Sequence, residues 1–155
     1  MKTPLDKTIA QLGYAGLLPF AGLAFLAWLV RANLLPFVAA ALTGYAAVIV
    51  SFLGGIHWGI GFLQHPTNSQ STSSDPFPAA LRFHFVWGVV PSLLAWLTLL
   101  IPAYAALPLL GLALIACYAV DRKTYPAVGL SRWLPLRLRL TVVATLSCVL
   151  GAAAI

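Results

Sequence analysis

Five apolar runs occupy most of this chain, at residues 9–30, 36–63, 83–101, 104–120 and 138–155. An α-helix rises 1.5 Å per residue, so a run of roughly 20 residues crosses a hydrocarbon core of about 30 Å. In such a core every backbone N–H and C=O must be satisfied within the segment, which favours helices for runs of this length. The expected fold class is therefore an all-α integral membrane protein, a bundle of about five transmembrane helices forming a single membrane domain over residues 1–155. Composition agrees: 61% of residues are hydrophobic and 8% are charged, against about 25% charged in soluble domains.

The breaks between the runs set the topology. Arg31, Asn33 and Pro36 make a short turn, and Pro102 opens a tight hairpin. Residues 64–78, rich in Ser, Thr, Asn and Pro, offer nothing to bury and read as a flexible polar loop. Residues 124–135, with two prolines, Gly129 and Trp133, suit an interfacial loop or short surface helix. Trp28, Trp58, Trp87 and Trp96 also suit anchoring near span ends. The first run exceeds the ~7–15 residues of a signal-peptide core, so a cleaved leader is not expected.

Nine Lys and Arg face three Asp and Glu. In a soluble protein such an excess would suggest nucleic acid, but these cations cluster at the ends of apolar runs. There they suit anionic lipid head groups, and no nucleic-acid partner is expected. Lys2, Lys7, Arg82, Arg122, Lys123, Arg132, Arg137 and Arg139 fall on the amino-terminal side, against Arg31 on the other. The amino terminus is thus expected in the cytoplasm and the carboxyl terminus outside. The address is a bacterial inner membrane, or the mitochondrial inner membrane if the source is eukaryotic.

Ionisable groups at membrane depth are expensive, so each is a functional candidate. Tyr14, His57, Arg82, His84, Tyr118, Asp121 and Arg137 all fall in the amino-terminal half of the bilayer and form a candidate polar cluster, with Gln11 nearby. His84, Gly88, Pro91, Ser92 and Ala95 recur at helical spacing, as do Arg137, Thr141, Thr145 and Cys148. Both stripes suit inward packing faces. Gly55 and Gly59 form a GxxxG, and with Gly88 they are candidate helix-packing positions.

His57, flanked by Gly54 and Gly61, is open to a ligand or to a hydrogen bond with Tyr14, His84 or a backbone carbonyl. Haem ligation by His57 and His84 is disfavoured by a depth difference of ~8 Å, from counting residues to the ends of the apolar runs. No third metal ligand joins them, because His65 lies in the loop. Asp121 has Arg137 or Arg139 as natural partners across the connecting loop, as a clamp between two spans or as part of a proton relay. Cys117 and Cys148 read as small packing residues. Pro19, Pro91 and Pro108 free carbonyls within spans and permit kinks.

No catalytic triad, paired carboxylates, phosphate-binding loop or zinc-protease motif is present, so an enzyme is not expected and no cofactor is assigned. Five segments carry a resemblance: LGYAGLLPF from Leu12, FLGGIHWG from Phe52, VPSLLAW from Val90, DRK from Asp121 and LRLRLTVV from Leu136. Together they resemble a domain-of-unknown-function family of bacterial membrane proteins similar to mitochondrial transmembrane protein 69. The resemblance implies a small polytopic membrane protein and transfers no catalytic residue. Three readings stay open: an accessory or assembly factor working through a membrane-protein partner or as a homo-oligomer; a small transporter or channel with a polar vestibule; and a lipid- or quinone-binding protein.

Overall fold

A computed structural model describes residues 4–64 and 79–155. Its helices are α1 (Pro4–Ala15), α2 (Leu17–Leu29), α3 (Leu35–Gln64), α4 (Ala79–Thr98), α5 (Ala103–Thr124) and α6 (Leu134–Ala153). Two 3₁₀ turns, Tyr125–Val128 and Ser131–Trp133, join α5 to α6. Five helical stretches are long and apolar enough to cross a membrane: Pro4–Leu29, Leu35–Gln64, Leu81–Thr98, Ala103–Val128 and Ser131–Ala153. The protein is an all-α membrane protein. Of the loop at 64–78, all but Gln64 lies outside the described residues.

The first apolar run is two helices rather than one, and it starts at Pro4 rather than at residue 9. The break at Gly16 has a cause three residues on. Pro19 has no N–H to give the Ala15 carbonyl, and a proline ring crowds the carbonyl four residues before it. The neighbouring Gly16 carbonyl accepts a hydrogen bond from the Tyr45 hydroxyl on α3 at 2.7 Å, so the kink is stitched to the bundle. After α5, Gly129 adopts a left-handed φ of 74°. That conformation lets Leu130 N–H reach back to the Tyr125 carbonyl at 2.9 Å, closing the turn where a residue with a Cβ would be strained.

Helix α3 is the hub, touching α2, α4, α5 and α6. The core around it is built from small and branched residues: Ala24, Ala46, Ala47, Ala95, Ala144 and Cys148 interleave with Phe20, Leu42, Leu107 and Leu110. Membrane helices gain little from excluding lipid, so close van der Waals approach is what holds them. Gly54 and Gly88 show this most sharply. A Cβ on Gly54 would stand 2.6 Å from the Gly88 carbonyl oxygen, so α3 and α4 cross backbone to backbone. Trp58 caps the crossing, its indole N–H donating to the Phe85 carbonyl at 2.9 Å. At the opposite end of the bundle Trp28 ties α2 to α6 through the Leu150 carbonyl, 3.1 Å away. The large side chains left outside, such as Leu18, Phe25, Phe52, Leu112 and Leu146, form the lipid-facing surface.

Among the described residues, the GxxxG pair makes no helix contact within the bundle. Gly55 and Gly59 face outward, and a Cβ on either would meet nothing within 4 Å among the described residues. Helix packing inside the bundle uses Gly54 and Gly61 instead, one residue before and two after that pair. The α3 face carrying Val48, Phe52, Gly55, Gly59 and Phe62 is exposed along its length.

Candidate functional site: a buried His, Asp and Arg network

Four candidate residues from four spans meet at one depth. His57 on α3 is fully buried. Its Nδ1 lies 2.9 Å from Nδ1 of His84 on α4, and its Nε2 lies 3.0 Å from Asp121 Oδ1 on α5. The other carboxylate oxygen accepts a 2.8 Å hydrogen bond from Arg137 Nε on α6. Arg137 Nη1 continues the line to the Thr141 hydroxyl at 3.3 Å. The ~8 Å depth difference expected between the histidines is absent. Helix α4 begins at Ala79 rather than residue 83, so His84 is five residues inside it, while His57 is seven from the end of α3 at Gln64; two residues of rise are about 3 Å.

Proton placement follows from the partners. The Asp121 carboxylate accepts from Arg137, and it accepts again from His57 Nε2–H. With one proton on each imidazole, His57 Nδ1 is then the acceptor and His84 donates its Nδ1–H. The order of donation runs from His84 to His57 to Asp121, with the lone pair of His84 Nε2 at the outer end. Such a line can act as a lock between spans or relay a proton through paired shifts of hydrogen. In a medium of low dielectric its bonds are strong, and any member left unpaired is costly.

Tyr125 completes the surroundings and was not among the sequence candidates. It is buried, its ring centroid is 6.5 Å from that of His57, and its hydroxyl interacts with Asp121 and Arg137. One signal could have found it: position 125 follows Asp121 by four residues and so shares its helical face. The remaining candidates stand apart. Tyr14 is exposed on α1 and is met by Arg139 Nη1 at 3.5 Å, so Arg139 is not an Asp121 partner. Arg82 is exposed and Tyr118 half-buried, both outside the network.

Beside the network, α1, α2, α3, α5 and α6 enclose an apolar cleft of about 350 Å³, lined by residues such as Phe20, Leu53 and Leu114 and reached at one end by Arg137 and Thr141. Arg137 Nη2 is buried and makes no hydrogen bond among the described residues.

A family model described as protein of unknown function (DUF3429) matches residues 5–153. The chain belongs to this family. Transmembrane protein 69 of Xenopus tropicalis is 38% identical over 148 residues, which cover 92% of this chain and 53% of that protein. The chain thus spans about half the length of that relative. No solved structure matches. The match covers all five spans and all four network residues, so the family resemblance carried by the sequence motifs is shown.

Proposed function

We propose that this protein is an accessory or assembly factor that works by helix contact within a larger membrane complex, in a bacterial inner membrane with its amino terminus in the cytoplasm. The observation that carries this reading is the outward GxxxG face of α3. Gly55 and Gly59 lie between the exposed Phe52 and Phe62, and a Cβ on either glycine would meet nothing within 4 Å among the described residues. In lipid a face of small residues is where another helix approaches closely. The buried network supports the same reading from the other side: His57, Asp121 and Arg137 bind one another across three spans, which fixes the hub helix and therefore the shape of the face it presents. Purification from native membrane in mild detergent tests this. A stoichiometric partner retained by the natural chain and lost with Gly55→Leu/Gly59→Leu is expected; no partner in either, or equal retention in both, overturns the reading.

A second reading, binding of a lipid or quinone, draws on the apolar cleft ending at Arg137. Its occupant would place a carbonyl oxygen near the guanidinium and its hydrocarbon against Phe20 and Leu114. Mass spectrometry of organic extracts from purified protein tests it, with a stoichiometric amphiphile lost in Leu53→Trp as the supporting result. A transport reading requires the His57, His84, Asp121 and Arg137 network to open, since these groups are packed against one another.

A further inference from the structure

We infer that the start of α1 and the start of α6 together form a binding site for the head group of an anionic phospholipid. A cavity of about 630 Å³ lies between these two segments, on the side of α1 away from the apolar cleft. Lys7 and Arg132 stand on it from the bundle end, while Arg139, Gln11 and Tyr14 line it further in. Seven residues separate Lys7 from Tyr14, roughly 10 Å along a helix, more than the head-group layer of about 5–8 Å in one leaflet.

The side chains are arranged for this chemistry. Three cations share the cavity with one acid, Asp6, whose oxygen is 3.8 Å from Arg132 Nη2, so the site keeps a net positive charge. Tyr14 accepts from Arg139 and retains its own proton to donate to a phosphate or ester oxygen. Trp133 lies under the Arg132 guanidinium at 5.1 Å and supplies the amphipathic ring typical of the head-group level. Leu136, Pro135 and Ala10 complete the lining with apolar surface suited to the glycerol and first methylenes. A soluble acidic partner would not need that apolar floor. This site is independent of the α3 face and does not depend on the assembly reading.

The test is native mass spectrometry of the full chain, delipidated in detergent and titrated with phosphatidylglycerol, phosphatidylcholine or inorganic phosphate. Retention of phosphatidylglycerol at least tenfold above phosphatidylcholine is expected, together with a loss of roughly fivefold for each cation removed in Lys7→Ala, Arg132→Ala and Arg139→Ala. Arg31→Ala, at the other end of the bundle, is expected to change nothing. Equal retention of both lipids, undiminished binding in the triple variant, or displacement of phosphatidylglycerol by millimolar phosphate overturns the proposal; the last would mark a simple anion site. If the triple variant does not fold, Arg139→Gln with Tyr14→Phe carries the same test, and unchanged lipid selectivity in that pair overturns the proposal equally.

Discussion

His57 and Asp121 lie 64 residues apart in the chain, yet His57 Nε2 and Asp121 Oδ1 are 3.0 Å apart inside the bundle, within two turns of the ends of α3 and α5. This one bond joins the hub helix to α5, and through Asp121 it reaches α6. A pair so placed has no water to fall back on, which makes each partner's removal costly to the other.

Asp121→Asn removes the charge that balances Arg137 and leaves a guanidinium buried without a counter-ion. The expected loss is about 3 kcal/mol or more, read as a lower unfolding temperature in detergent and reduced recovery of monodisperse protein. Asp121→Asn/Arg137→Gln is expected to lose less than the two single changes summed, because the double change strands no charge. Stability of Asp121→Asn equal to that of the natural chain would show that the clamp contributes nothing.

The two histidines are not equivalent. His57 has a partner on both ring nitrogens and no exposed surface, whereas His84 closes one end of the line. His57→Ala strands an Asp121 oxygen at a cost of about 1–3 kcal/mol and leaves a cavity that adds to it. His84→Ala strands one partner, His57 Nδ1, where His57→Ala strands two, and is expected to cost less, about 1–2 kcal/mol. Thermal unfolding of both variants in the same detergent checks the order, and a larger loss for His84 would contradict the geometry.

Neighbouring glycines on α3 give opposite expectations. Gly54→Ala places a methyl group 2.6 Å from the Gly88 carbonyl, forcing α3 and α4 apart at a cost of about 1–3 kcal/mol. Gly55→Ala meets open space and is expected to leave the isolated bundle unchanged or firmer by up to about 1 kcal/mol, since alanine is the better helix former. Detergent melting curves of the two variants, one residue apart, separate the buried face from the outward one.

Much of the fold is legible in the sequence. Apolar run length fixes the five spans, because the bilayer sets a physical minimum. The cost of burying charge points to seven residues, of which His57, His84, Asp121 and Arg137 meet in the network while Tyr14, Arg82 and Tyr118 stand apart. What misled was the counting of depth from the ends of apolar runs. Helix α4 starts at Ala79, several residues before its run becomes continuous, since a helix at the interface tolerates Arg82 by turning it outward. The same blindness applies to helical phase. A GxxxG motif states that two glycines share a face, but not which face meets the bundle, and here Gly54 rather than Gly55 is turned toward α4. Tyr125 was hidden because Pro126 and Gly129 mark its segment as a loop, while the helical turn that carries it persists through a 3₁₀ extension.

Site-specific photo-crosslinking in native membrane tests the assembly reading most directly. A photoreactive residue at position 59, on the outward glycine face of α3, is compared with one at position 112, on the lipid-facing side of α5. The account predicts a discrete adduct with one protein species from position 59 and lipid adducts alone from position 112. Lipid adducts alone from both positions, or the same mixture of proteins from both, would contradict it.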